Sequence, residues 1–331
     1  MIPLHRRPPW VSGAAGITAV LALLALPGML YTGQQRTVAT VFMFVALAQA
    51  WNIIGGFAGY ACFGQVVFFG FGGYVTASLM VHAHISFWLA LPLSALAAGL
   101  YGALLGLPLL RLKGHYFAVA TLGVAEGTRE VVTNLPRLTG GGAGITIPTV
   151  GRDAATAYLG NDGFYLLFLG LAVLAVAGVA LLARSRFGYM LRAINQDEDA
   201  AAAMGINTTR AKVAAFAASG VLTGLAGSIY AFQQVTIFPQ RLFEVDISVL
   251  VVIMVVLGGS GTVAGPVVGA VSIQFVSEYL RQHFTNAHTF ILGALIIVSV
   301  VLLPQGAVSF ARDAWRTRRL SFLDTIRTYR L

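Results

Sequence analysis

Two groups of residues in this chain carry chemistry. The first is a polar run in which Arg192, Asn195, Asp197, Glu198 and Asp199 lead into four alanines, Ala200 to Ala203, and then Met204-Gly205. Acidic side chains at that place complement the positive end of a helix, and the alanines favour one strongly. Gly205, followed by Ile206-Asn207, is a helix stop. Arg186 to Gly205 therefore reads as a short helix, a turn and a second short helix: an ordered, charged bracket. The second group consists of polar side chains inside apolar stretches: Gln49, Asn52, Gln65, Tyr74, His115, Glu126, Arg129, Glu130, Gln233, Gln234 and Gln274. Such groups are costly in lipid, so they face a cavity or a neighbouring helix. Glu126, Arg129 and Glu130 are spaced i, i+3 and i+4 and share one helix face. They form either a structural ion pair or the lining of an entrance. Asn52 and Gln65 flank the glycine-rich segment Gly55 to Gly64, where small residues let helices approach or break and expose backbone groups to a ligand. Plain helix packing explains the same glycines.

Other chemistry has no foothold. No nucleophile and base can be paired. No G-x-x-x-x-G-K-[ST] loop occurs, so the chain does not hydrolyse ATP by that route. "GGSGTVAG" (258–265) misses the dinucleotide-loop spacing and lacks a strand–helix–strand context. His82 and His84, two apart, point to different sides of a helix, and no metal site is expected. The single cysteine, Cys62, leaves no internal disulfide. A net charge of +9 invites a nucleic-acid reading, but no basic stripe with interleaved aromatics supports one.

The elements that must position these groups are membrane helices. Of 331 residues 57% are hydrophobic and only 10% charged, against about 25% charged in soluble domains. Mean hydropathy is +0.81. The chain is read as all-α and polytopic, with eight to ten transmembrane helices. Candidate spans are 11–31, 37–56, 63–82, 86–109, 115–133, 163–183, 212–233, 247–260, 265–281 and 288–306. The pair 247–260 and 265–281, split by a Gly/Pro-rich hinge, is either two short spans or one span and a re-entrant segment. The apolar run from Val11 to Tyr31 exceeds a signal-peptide core and ends in no A-x-A site, so it is read as an uncleaved first span. Ten spans place both termini and the loops 110–114 and 184–211 on one side. That side holds 15 of the 21 basic residues, which makes it the cytoplasm. Residues 1–10 are then a cytoplasmic N-terminus, 11–306 the transmembrane domain and 307–331 a basic cytoplasmic tail. The loop 134–162 lies outside, with Gly140 to Gly144 a mobile element within it.

Asp199, Ala200, Ala201 and Gly205, an acid, two alanines, three residues and a glycine, resemble the E-A-A-x-x-x-G loop of ABC importer permeases. The flanking sequence, "RSRFGYMLRAINQDEDAAAAMGINTTRAKVAAFAASGVLTGLAGSIYA", is similar to the permeases of high-affinity branched-chain amino acid importers. So are "NIIGGFAGYACFGQVVFFGFGGYVTASL", "RLKGHYFAVATLGVAEGTREVV", "LTGGGAGI" and "VVLGGSGTVAGPVVGAV". The resemblance runs from about residue 37 to 305. It departs where Tyr60, Cys62 and Gln65 replace a family Gln, Ser and His, and where Gly142 and Ala143 replace a polar pair. It implies an ABC importer permease fold in a bacterial inner membrane. The partners it implies are a second, homologous permease, two ATPase subunits that hold ATP and Mg, and a periplasmic binding protein. This chain itself would hold no cofactor and carry no enzymatic activity. Residues 184–211 would be the coupling loop, with Arg192, Asn195, Asp197, Glu198, Asp199, Ala200, Ala201 and Gly205 engaging the ATPase. Asn52, Gln65, Tyr74, Glu126, Arg129, Gly140 and Gly141 are candidates for the substrate pathway. A branched-chain or other hydrophobic amino acid suits neutral polar groups and apolar walls. Urea, short amides, aromatic or dicarboxylic compounds are alternatives, and a stand-alone transporter or channel is the rival from another class.

Overall fold

A computed structural model describes residues 22–24, 26–29, 31–149, 158–284, 290–291 and 293–294. The N-terminal segment 1–10, most of the expected spans 11–31 and 288–306, and the tail 307–331 lie outside these residues. The described chain is a helical bundle. Its long elements are α1 (Thr32–Trp51), α2 (Val66–His82), α3 (Phe87–Leu109), α4 (His115–Thr133), α5 (Gly160–Arg184), the short pair α6 (Arg186–Gln196) and α7 (Glu198–Ala203), α8 (Thr208–Gln234), α9 (Val245–Gly258) and α10 (Ala264–His283). A two-residue antiparallel ladder pairs β1 (Ile145–Thr146) with β2 (Thr236–Ile237) at one end of the bundle. The all-α reading stands.

α8 is the packing centre, seated against α2 and α3. Ser219, Gly220, Thr223, Gly224, Gly227 and Ser228 are buried along its contact faces. A side chain at Gly227 would run into the Phe69 carbonyl, and one at Gly220 into that of Ala98. Backbones that approach this closely gain van der Waals contact where the lipid phase offers no hydrophobic drive. Ser228 then fixes the register: its hydroxyl lies 3.2 Å from the Gly72 carbonyl and 2.6 Å from the Ser94 hydroxyl. Aromatic rings fill the remaining space, with Phe68 edge-on to Phe216 and Phe87 stacked on Phe232.

Four helices among the described residues are long and apolar enough to cross a membrane: Thr32–Phe57, Phe87–Leu109, Gly160–Arg184 and Thr208–Gln234. The outer face of α3 shows Leu93, Leu96, Leu100 and Leu104 uncovered, as a helix surrounded by acyl chains does. The other expected spans differ for physical reasons. α2 is apolar but has 17 residues. α4 carries Glu126, Arg129 and Glu130. α9 has 14 residues, about 21 Å of helix against a hydrocarbon layer of about 30 Å. The ambiguous pair separates into α9 and α10, joined by a turn in which Gly259 and Gly261 take positive φ of 118° and 71°, a backbone that L side chains resist.

Candidate functional site

The bracket forms as its sequence dictates. Ser185 caps α6, its hydroxyl accepting from the Gly188 N–H (3.1 Å). The Asp197 carboxylate caps α7, accepting from the N–H groups of Asp199 and Ala200 (both 2.9 Å). Asn207 caps α8 by accepting from the Arg210 N–H (3.0 Å). Each cap satisfies helix-end donors that would otherwise have no partner. Gly205 closes α7 at φ +87°, and the N–H of Ile206 returns to the Ala201 carbonyl (3.1 Å), the left-handed C-terminal closure that glycine permits.

The coupling candidates divide between two faces. Asp199, Ala200, Ala202, Ala203, Met204 and Gly205 are exposed. Lys113 Nζ approaches Asp199 Oδ1 at 3.1 Å. The hydrogen bond to that carboxylate raises the affinity of the Lys113 amine for its proton. Facing the body, Ala201 is buried and the Arg192 guanidinium lies 5.1 Å from the centre of the Phe57 ring. The Asn195 amide donates to the Gly56 carbonyl (3.3 Å).

Glu198 also faces inward and meets two residues that the sequence reading did not single out for the site. Lys212, 3% exposed, spends its three ammonium donors on Glu198 Oε1 (2.5 Å), the Tyr60 hydroxyl (3.0 Å) and the Leu110 carbonyl (2.9 Å). The Tyr60 hydroxyl donates to the other Glu198 oxygen. Burial works against the Glu198 carboxylate, but the hydrogen bonds from Lys212 and Tyr60 outweigh it and hold its carboxyl below the usual range. Burial, and then the Glu198 carboxylate, push the Tyr60 phenol above its ordinary value. The signals for this cluster were a lysine in the second turn of a long, mostly apolar helix and a tyrosine within the glycine-rich break.

Tyr60 belongs to the break that Asn52 and Gln65 flank. Beyond Trp51, α1 widens into a π-helical turn over Asn52–Phe57, the kind of bulge that recurs at functional positions. Asn52 is wholly buried. Its amide donates to the Thr262 carbonyl (2.8 Å) and accepts from the Gly261 N–H (2.9 Å). Gln49 donates to the Val263 carbonyl (2.6 Å). The break is thus stitched to the α9–α10 turn. Gln65 donates to Thr223 (2.7 Å), tying the start of α2 to α8.

The remaining pathway candidates lie on and around α4. That helix meets the body through Phe117, Thr121, Ala125, Thr128 and Val132. Its other face shows Tyr116, Val119, Gly123, Glu126, Gly127 and Glu130. Arg129 pairs with Glu126 (2.7 Å) and Glu130 (3.3 Å). Between α2, α3 and α4 is a cavity of about 750 Å³ lined by Phe71, Tyr74, Tyr101, Val124, Thr128 and Val131, among others. The Tyr74 hydroxyl has no hydrogen-bond partner among the described residues, while the hydroxyls of Tyr101 and Thr128 engage each other (2.9 Å). Gly140 and Gly141, both at positive φ, turn the chain at the end of this cavity next to β1. The structure therefore groups the candidates into three places. Arg192, Asn195 and Glu198 meet the break, Asn52 and Gln65 sit in helix contacts, and Tyr74, Glu126, Arg129, Gly140 and Gly141 surround α4. Among the described residues, no cluster of His, Cys, Asp and Glu could hold a metal.

The sequence matches known proteins. The family model described as the permease component of branched-chain amino acid transport systems matches residues 14–300. The high-affinity branched-chain amino acid transport system permease protein LivM of Salmonella typhimurium is 31% identical over 312 residues, 87% of this chain and 73% of that protein. LivM of Escherichia coli strain K12 is 30% identical over 320 residues, 89% of this chain and 75% of its own length. The ribose import permease protein RbsC of Haemophilus influenzae is 27% identical over 239 residues, covering 68% and 71%. No solved structure matches the chain. The residues matched take in the bracket, the break and α4 alike, and by them the chain belongs to the family of branched-chain amino acid transport system permease components.

Proposed function

We propose that this permease forms half of the translocation pathway of an ATP-driven importer for branched-chain or other hydrophobic amino acids. The observation that carries the reading is the bracket. A loop capped at each of its helix starts and anchored on its inner side presents Asp199, Ala200 and Ala202 to Gly205 to solvent. That is the construction required of a surface on which an ATPase subunit pushes. Two such subunits bind on the bracket side, and the excess of basic residues on that side supports reading it as the cytoplasmic one. A soluble binding protein delivers substrate to the opposite end, near Gly140 to Gly144. A second permease covers the outer face of α4. A face bearing Glu126 and Glu130 is expensive in hydrocarbon, and a partner helix or a water-filled path between two permeases removes that cost. The relatives named for branched-chain amino acids and for ribose leave two substrate classes in view. The cavity beside α4 favours the first. Its walls are mainly aliphatic and aromatic, and the hydroxyls of Ser78, Tyr101, Thr128 and Thr139 are already engaged within the protein, so an aliphatic side chain is the better occupant.

The test is uptake by the assembled transporter in liposomes, using labelled leucine with ribose and urea as competitors. ATP-dependent leucine uptake that excess ribose does not reduce supports the reading. Uptake of ribose or urea instead moves the substrate to another class, and solute movement without ATP or partners overturns the importer.

A further inference from the structure

Beyond a surface for the ATPase, the bracket has an inner side whose contacts converge on one short segment. Arg192 covers Phe57, Asn195 holds the Gly56 carbonyl, and Glu198 reaches Tyr60. All three partners lie in or just after the π-helical turn of α1. On the far flank of the same turn, Asn52 grips Gly261 and Thr262 through both ends of its amide. An unbroken series of direct contacts therefore runs from α7 to the α9–α10 turn through a stretch of backbone that is itself a local departure from α-helix.

We infer that Tyr60, Glu198 and Lys212 are positioning residues that lock the bracket to the π-helical turn, so that displacement of α7 is delivered to the Asn52–Phe57 segment, and through Asn52 to the glycine turn between α9 and α10. The inference rests on the importer reading and specifies which contacts do its mechanical work. Three features support it. The ammonium of Lys212 has all three protons committed, so the ion pair is held in one geometry and cannot slide without breaking several bonds at once. The pair lies at the junction of three chain segments, since Glu198 comes from α7, Lys212 from α8 and Tyr60 from the break. The segments it serves are able to yield. A π-helical turn holds one residue more than an α turn and marks a place where a helix changes its winding, and the α9–α10 turn is built on glycines at positive φ. A stiff link between a pushed surface and two soft turns passes movement on, and a loose one absorbs it. Transmission through packed, hydrogen-bonded contacts of this kind is the physical form that coupling between distant sites takes.

The reading assigns Glu198 and Asn195 to the inner side of the bracket, away from the docked ATPase, and so separates docking from transmission. The experiment uses the complete transporter, with its ATPase and binding-protein partners, in liposomes. ATPase capture, ATP turnover and substrate moved per ATP are measured together. Tyr60→Phe removes one hydroxyl and leaves the ion pair. The double variant Glu198→Gln/Lys212→Met removes both charges and leaves neither uncompensated. Both are expected to capture the ATPase as the parent does and to keep turnover within about twofold, while substrate moved per ATP falls roughly tenfold. Combining all three changes is expected to lower it little further, because residues acting through one link do not add. Unchanged substrate per ATP in both variants overturns the inference and leaves the cluster a packing feature. Loss of ATPase capture together with uptake also overturns it, since the cluster would then belong to docking. Should the double variant fail to reach the membrane, Tyr60→Phe decides alone. Asp199→Lys and Gly205→Pro serve as controls on the exposed face. If these leave capture and uptake intact, the importer reading fails, a result distinct from failure of the link.

Discussion

Charge is handled in opposite ways at the bracket and on α4. At the bracket, Lys212 is buried and Glu198 half-buried, and every proton of the ammonium is satisfied by a group from another segment of the chain. On α4, Glu126, Arg129 and Glu130 pair, among the described residues, within their own helix, and their side chains remain 48%, 33% and 61% exposed. The first arrangement is complete within one chain. The second is complete only in water or against a partner, because a bilayer leaves such groups without solvation. The contrast teaches that the bracket end is tied together within the chain, while the charges on the α4 face depend on whatever surrounds that helix.

The strongest way to break the comparison is at Gly205. Proline there fixes φ near −65°, where the native backbone is at +87°, and deletes the N–H that bonds the Ala202 carbonyl (2.9 Å). Gly205→Pro is expected to abolish ATP-dependent uptake while the protein remains in the membrane, checked by uptake and membrane immunoblot. Charge reversal by Asp199→Lys, which also breaks the exposed pair with Lys113, is expected to do the same. Normal uptake by either variant would refute the assignment of this face.

Next in size is the buried pair. Lys212→Met leaves the Glu198 carboxylate without its main partner. Breaking one side of a buried ion pair costs roughly 3–5 kcal/mol, and here the side chains are 4% and 18% exposed. A large drop in the thermal midpoint of the detergent-purified protein is expected. Partial recovery is expected in Glu198→Gln/Lys212→Met, which removes the orphaned charge. Arg129→Ala sharpens the contrast from the other side. A solvent-exposed ion pair contributes about 0–1 kcal/mol, so the purified single chain is expected to melt within a degree or two of the parent. If the α4 face is covered on assembly, the same substitution lowers the yield of the two-permease complex, read by pull-down of the second permease. Equal, small effects in both measurements would leave α4 outside the interface.

Much of this layout was legible in the sequence because its signals are local. Caps, alanines and a terminal glycine define α6 and α7 within twenty residues, and the glycines at 259 and 261 mark the break between α9 and α10. Apolar length sufficed for the four clear spans. What was not legible depends on partners far away in sequence. Whether Asn52 faces a cavity or a neighbouring helix stayed open in the sequence, because nothing nearby shows that Gly261 and Thr262, about 210 residues on, take up both ends of its amide. Gln65 is spent in the same way on Thr223. The direction of Glu198 was hidden because α7 has six residues, too few for periodicity to define an inner and an outer face. Asp197 and Glu198 are neighbours of the same type, yet one caps its own helix and the other enters a buried network. Only the position of Lys212 tells them apart.

The smallest expected effect is the pH dependence of the bracket link, and its sign follows from Glu198. Its carboxyl is held below the ordinary value of 4.5 in the folded protein, so folding favours the ionised form. A carboxyl with a lowered folded value contributes stability that is fully present above the unfolded value and is lost as pH falls through the folded one. Between pH 8 and 5 the contribution is therefore constant. The thermal midpoints of the parent and of Glu198→Gln are expected to fall in parallel, or not at all, over that range. Below pH 4.5 the gap narrows, because protonation of Glu198 turns the parent into a neutral counterpart of the variant while Lys212 keeps its charge in both. A gap between parent and Glu198→Gln that closes already near pH 6 would mean that Lys212 and Tyr60 do not hold the carboxylate as the geometry requires. It would remove the distinction between a bracket locked by buried charge and an α4 face whose charges answer to solvent.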